Sequence, residues 1–193
     1  DILELSQNLL CEFGGVRGLL FADFNQLKEV RYLGRAKVSC IKAAGELAKR
    51  CFSPEIKSST KITNPAVVHE LIRPYVLGKN KEILFLLSLD LKQRLIKINT
   101  ISIGTLSQTL SDVREVLRAA LLNNASSIII AHNHPSGSTG PSNEDKYFTA
   151  CLASAAPRVG LTLLDHVVVT PDDYLSFKSR GLLSLGTKGG EEK

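Results

Sequence analysis

Two histidines one residue apart, followed after ten residues by an aspartate, form the part of this sequence best suited to chemistry: His132, His134 and Asp145. They come directly after Ser127–Ala131, an apolar run that reads as a buried strand. On a strand, positions i and i+2 project to the same side, so His132 and His134 can present two imidazoles to one point. Pro135 and Gly137 then turn the chain into a loop, and Asp145 falls about one turn into the next helix, from where it can swing back toward the strand end. Two neutral ring nitrogens and a carboxylate suit Zn2+, and three protein ligands leave a fourth position for water, as in catalytic rather than structural sites. The same letters also allow a reading without metal, because Ser142-x-x-Asp145 matches a helix capping box.

The elements that would position these residues are visible in the hydrophobic pattern. Pro65–Val76 reads as a helix with Val67, Val68, Leu71, Ile72 and Tyr75 on one face. Glu82–Leu91 and Arg94–Ile103 are apolar, β-branched runs flanking a Lys92-Gln93 turn, which predicts a hairpin. Asp112–Asn124 reads as an amphipathic helix, Asn143–Ala155 as another, and Leu161–Thr170 as a second buried strand. Strands and helices alternate, so this part is an α/β or α+β domain. Residues 1–52 read instead as short helices: a stripe of Ile2, Leu3, Leu5, Leu9 and Leu10, a stretch Ala22–Val30 with Asp23 as a cap, and a long helix Ala36–Phe52. Gly14, Gly15 and Gly18 punctuate the first connection. Polar, Pro-containing Ser53–Asn64 reads as a linker, and the Gly-rich charged tail 186–193 as disordered.

The spacing His132-x-His134, ten residues, Asp145, with Ser142 three before the aspartate, is similar to the JAMM (MPN+) metalloprotease signature. The fuller string HNHPSG, with PSNED after it and Leu164-Asp165-His166 downstream, resembles the RadC family within that superfamily. The resemblance implies a mixed sheet flanked by helices over residues 65–185, preceded by a helix-hairpin-helix region over 1–52. It also implies a Zn2+ held by His132, His134 and Asp145, and hydrolysis of a peptide or isopeptide amide.

Such chemistry needs a carboxylate to take a proton from the activated water. Glu115 has a local explanation, since Asp112 and Glu115 fit a capping box. Glu82 opens the run Ile83–Leu87 and stands where JAMM enzymes carry their catalytic glutamate, so it is the expected general base. Ser142, by the same resemblance, donates to the oxyanion. His166 is expected to be a core histidine oriented by a backbone carbonyl, or else a contact to the metal site; His69 is expected to be solvated. No Gly-x-Ser-x-Gly elbow, P-loop or Gly-x-Gly-x-x-Gly is present, which disfavours a serine hydrolase and a nucleotide site. The letters His132-Asn133-His134 are not an HNH nuclease motif, whose residues spread over a longer ββα unit.

In the N-terminal part, Glu29–Val38 resembles the hairpin of a helix-hairpin-helix motif, which binds a DNA phosphate through backbone N–H groups. Tyr32 stands where such hairpins carry their first glycine, and Gly34 remains. Lys28–Arg50 holds seven basic and two acidic residues. Gly34, Arg35 and Lys37 are thus the expected contacts for weak, sequence-independent DNA binding. The whole chain, with 193 residues and a net charge of +5, permits nucleic-acid contact without arguing for it. No apolar run approaches a membrane span. Four scattered cysteines without a CxxC pair predict buried free thiols (Cys11, Cys40 and Cys151 lie in helical patterns) and a reducing, cytoplasmic setting. The chain opens at Asp1 and contains no methionine, so it is expected to be a fragment or processed product. The leading expectation is a zinc-dependent amide hydrolase; the alternatives are a non-catalytic DNA-associated protein carrying the family's DNA-repair label, or a metal-dependent nuclease.

Overall fold

The computed structural model describes residues 2–52, 60–104 and 109–183. They divide into a helical unit and a unit built on a sheet.

The helical unit contains α1 (Ile2–Glu12), α2 (Val16–Phe21), α3 (Phe24–Glu29) and α4 (Arg35–Phe52). Asp23 caps α3 as expected: its carboxylate accepts from the Asn25 N–H at 2.8 Å, and the Gln26 side chain returns to the Asp23 N–H at 3.1 Å. Leu9, Leu27, Leu33 and Val38 form the small core. The α1 stripe is narrower than expected, because Ile2 and Leu3 are exposed and only Leu5 and Leu9 reach this core. Gly14 and Gly15 break the chain between α1 and α2 with φ of 68° and 97°, values that glycine adopts without strain. The cysteines are free as expected, but they are not buried. Cys11, Cys40 and Cys51 are exposed and Cys151 is only half-buried, all of them free. Cys11 and Cys40 each stand two residues past a core residue, Leu9 and Val38, so the helical turn carries them to the opposite face.

The sheet unit contains α5 (Pro65–Val76), β1 (Ile83–Leu89), β2 (Leu95–Ile103), α6 (Thr109–Leu122), β3 (Ser127–Asn133), α7 (Asn143–Ala155), β4 (Thr162–Val169) and β5 (Tyr174–Ser176). Strand order is β2-β1-β3-β4-β5. β1 is antiparallel to β2 and β3, β3 is parallel to β4 through α7, and β5 returns antiparallel. This is an α+β domain, as the alternation predicts, with the mixed sheet that the RadC resemblance implies. β1 and β3 are buried along their whole length, as their apolar runs Ile83–Leu87 and Ile128–Ala131 favour. Their alternate residues feed two cores. Phe85, Leu87, Leu89, Ile129 and Ala131 pack with Val68, Leu71 and Ile72 of α5. Leu84, Leu86, Ile128 and Ile130 pack with Val116 of α6 and Phe148 and Leu152 of α7.

The predicted β1–β2 turn is tied by Asp90, whose carboxylate accepts from the Lys92 and Arg94 N–H groups at 2.8 and 2.9 Å. The end of the expected linker belongs to this unit. The Ile62 N–H donates to the Gln93 carbonyl at 3.0 Å, the Leu95 N–H donates to the Thr60 carbonyl at 2.8 Å, and Ile62 is buried. Residues 53–59 and the expected disordered tail lie outside the described residues. Among the described residues, no helix is long and apolar enough to cross a membrane.

Pairing between β3 and β4 slips by one residue. Ile128 opposes Leu163, but Ile129 opposes Asp165, so Leu164 is extra. On an unbroken strand, Leu163 and His166 would face opposite sides. The slip turns His166 to the side of its partner Ile130, the α7 side, where Leu163 also packs.

Candidate metal centre

β3 ends with His132 inside the strand and His134 one residue past it, and α7 brings Asp145 against both. The two Nε2 atoms lie 2.9 Å apart. Asp145 Oδ1 is 3.3 Å from His132 Nε2, and Oδ2 is 3.4 Å from His134 Nε2. One ligand atom from each of the three residues lies within 4.8 Å of the other two, close enough for a single ion to reach all three. His132 and Asp145 are buried and His134 is partly so. This is the three-ligand group expected from the spacing, and among the described residues it is the group of His, Cys, Asp or Glu side chains able to hold a metal.

The capping-box reading of Ser142-x-x-Asp145 holds, and it leaves Asp145 facing the two histidines. The Ser142 hydroxyl accepts from the Asp145 N–H at 3.0 Å, and the Asp145 carboxylate accepts from the Ser142 N–H at 2.7 Å. The capping box thus aims the Asp145 carboxylate at the histidines. The cap uses the Ser142 oxygen as an acceptor, which leaves its hydroxyl hydrogen available on an exposed residue. Asp145 raises the pKa of His134 through a hydrogen bond, against the opposing effect of burial. Burial alone would raise the pKa of Asp145, but hydrogen bonds from His132 and His134 hold it far below the usual carboxylate range.

Glu82 sits half-buried immediately before β1, whose first residues pair with the histidine-bearing end of β3: Leu84 opposes His132. Its charge is felt at His134, whose pKa it helps to raise. The peptide on either side of Glu82 is clamped by Asn133. The Asn133 side chain accepts from the Ile83 N–H at 2.8 Å and donates to the Lys81 carbonyl at 3.1 Å. The residue between the two histidines therefore fixes the backbone of the candidate base. Nothing in the letters HNH says this; it requires knowing that β1 lies beside β3. Glu115 corrects an expectation. α6 begins at Thr109, so Asp112 and Glu115 lie inside the helix rather than forming its cap. Glu115 instead pairs with Arg118 at 2.8 Å on the surface.

His166 is not oriented by a backbone carbonyl. Its Nε2 lies 2.7 Å from His132 Nδ1, and its Nδ1 lies 2.6 Å from the Thr149 hydroxyl. Full burial, with the nearby His132 adding to it, holds its pKa well below the ordinary value. Phe177 stacks on its ring with centroids 4.4 Å apart. Asp165 points elsewhere, accepting from the Lys178 and His166 N–H groups and the Ser176 hydroxyl, and so fastens β5 and the turn after it. His69 is not simply solvated, since its Nε2 contacts the Thr170 carbonyl at 3.0 Å and its ring packs on Tyr174.

Residues 62–182 match the family model described as the RadC-like JAB domain. The chain belongs to the RadC family. Curated relatives include a UPF0758 protein of Clostridium acetobutylicum, 40% identical over 183 residues that cover 95% of this chain and 80% of the relative. A UPF0758 protein of Protochlamydia amoebophila is 38% identical over 95% of this chain and 79% of its own. Neither name states an activity.

The RadC match does not reach the N-terminal hairpin, where Gly34, Arg35 and Lys37 are all exposed at the start of α4. Tyr32 has φ of 70°, so it adopts the left-handed backbone for which glycine is the usual choice. The Lys37 ammonium donates to the Tyr32 carbonyl at 3.2 Å, tying the hairpin to the helix. The Arg31 guanidinium covers the Tyr32 ring at 4.8 Å. A Cβ on Gly34 would meet open space, so packing does not demand glycine there.

Proposed function

We propose that this RadC-family chain is a zinc-dependent hydrolase that cleaves an amide bond of a peptide or isopeptide. The observation that carries the reading is the convergence of His132, His134 and Asp145 donor atoms within 4.8 Å of one another, with Glu82 held at the same strand ends. Bound at these three residues, zinc would lower the pKa of water toward about 7 and polarise the substrate carbonyl. Glu82 takes a proton from the attacking water as the C–O bond forms. It then passes that proton to the departing nitrogen as the C–N bond breaks, giving a carboxylic acid and an amine. Ser142 donates its free hydroxyl hydrogen to the oxygen that gains charge.

The N-terminal hairpin is a separate element in this reading, making weak, sequence-independent contact with DNA through Gly34, Arg35 and Lys37. The free, mostly exposed cysteines suit a reducing compartment, the cytoplasm. Metal analysis of the full chain, coupled to a cleavage screen over peptide, isopeptide and DNA substrates, tests the proposal. One zinc per chain and amide cleavage are expected, with the zinc lost in His132→Ala. Full zinc occupancy in His132→Ala, or cleavage of DNA in place of amides, overturns it.

A further inference from the structure

We propose that Thr149 and His166 are positioning residues for the metal centre: together they fix His132 as its Nδ1–H tautomer, so that its Nε2 lone pair faces the ion.

The inference follows proton by proton. The Thr149 hydroxyl has one hydrogen and contacts two groups, the Asp145 carbonyl at 2.6 Å and His166 Nδ1 at 2.6 Å. A carbonyl oxygen can only accept, so the hydroxyl hydrogen goes to Asp145. The Thr149 oxygen must then accept from His166, which places a hydrogen on His166 Nδ1. His166 is fully buried, and its ring nitrogens contact Thr149 and His132, neither of which is a carboxylate. It is therefore a neutral ring whose Nε2 is an acceptor. The partner of that Nε2, 2.7 Å away, is His132 Nδ1, which must donate. A neutral His132 with its hydrogen on Nδ1 keeps Nε2 free for the ion.

His134 reaches the same state by a different route. Its Nδ1 lies 2.9 Å from the Ser138 carbonyl, which again can only accept, so the hydrogen sits on Nδ1 and Nε2 faces the site. A loop carbonyl serves the histidine at the surface. The buried histidine is served by a relay that begins at the carbonyl of Asp145, itself a candidate ligand. The strand slip at Leu164 is what brings His166 to this side of the sheet, and stacking on Phe177 holds its ring in plane. A hydrogen-bond partner on the far nitrogen of a metal-binding histidine sets its tautomer and strengthens it as a ligand.

The inference rests on the metal reading above, so the experiment keeps the two apart. Zinc affinity of the full chain is measured by competition with a chromophoric chelator for wild type, His166→Phe, His166→Gln, Thr149→Val and Thr149→Ser, with circular dichroism to confirm folding. His166→Phe and Thr149→Val should weaken zinc binding by roughly 10- to 100-fold. Thr149→Ser keeps the hydroxyl and His166→Gln keeps an acceptor, so both should remain nearer wild type. In parallel, long-range proton–nitrogen spectra of 15N-histidine-labelled, metal-stripped wild type should show hydrogens on Nδ1 of both His132 and His166. Zinc affinities of His166→Phe and Thr149→Val within twofold of wild type overturn the relay, as does a hydrogen on His166 Nε2. A folded wild type that binds no zinc overturns the metal reading alone, since the metal-free spectrum still decides the relay.

Discussion

The end of β3 and the start of α4 both carry residues that suggest function, but they differ in what surrounds them. At the end of β3 the polar groups are buried, and each has a specific partner: His132 with His166, Asp145 with Ser142, Asn133 with the backbone around Glu82. At the start of α4, Gly34, Arg35 and Lys37 are exposed, and the one side-chain hydrogen bond among them ties Lys37 back to its own hairpin. Burying polar groups costs free energy unless they are paired, so a paired buried cluster marks a place where the fold is committed to a geometry. A solvated basic turn carries no such commitment. The contrast predicts large, specific losses at the first region and small, salt-dependent ones at the second.

The largest effect should come from Glu82→Gln. Zinc content should be unchanged, while amide hydrolysis falls on the order of 10²- to 10⁴-fold, because the nearly isosteric amide cannot accept the water proton. Glu115→Gln in the same assay should be active, losing about 1 kcal/mol or less of stability with its surface ion pair. The reverse pattern would assign the base to the wrong carboxylate.

Asn133→Ala leaves the buried Ile83 N–H without its acceptor and should cost about 1–3 kcal/mol in denaturant unfolding. It should also slow hydrolysis with zinc retained, since the peptide carrying Glu82 loses its clamp. Unchanged stability would mean that the clamp is replaceable by solvent.

The His134–Asp145 pair also sets the sign of a pH dependence. In the metal-stripped protein, the raised His134 pKa contributes stability that is present below its unfolded value near 6.5 and lost as pH rises through the folded value. The depressed Asp145 pKa contributes stability present above its unfolded value near 3.8 and lost as pH falls through the folded one. Between pH 6 and 8.5, melting temperatures without metal should therefore decline as far as this pair is concerned. Zinc must displace the His134 proton, so zinc affinity should rise over the same range. Parallel slopes in the two titrations would break the assignment.

The smallest effect concerns the hairpin. Arg35→Glu with Lys37→Glu should abolish weak DNA binding, whose log affinity against log salt should have a shallow slope of about −1 to −3 in the unmodified chain. Amide hydrolysis by the double variant should match wild type. DNA binding that survives both charge reversals would move the contact elsewhere.

Much of this was legible in the chain. The strand before His132, the period-2 placement of His132 and His134, and Asp145 on a helix capped by Ser142 follow from local rules, because neighbours in sequence set them. The α5 helix and the β1–β2 hairpin follow from their apolar periods for the same reason. The expected α6 cap failed because the helix starts earlier than its charge pattern suggests. The buried-thiol expectation failed because an apolar stripe does not reveal which of its edges meets the core.

By itself the sequence determined the grouping of His132, His134 and Asp145, the helix cap that aims Asp145, and the alternation that makes the sheet. It could not determine that Asn133 grips the backbone around Glu82, fifty residues away along the chain. Nor could it determine that His166 stands behind His132. That depends on β4 lying parallel to β3 and on a one-residue slip at Leu164, which reverses the side every later β4 residue faces. Local periodicity fixes which residues can share a face, but only the pairing of strands distant in sequence decides which face, and so which proton each histidine holds.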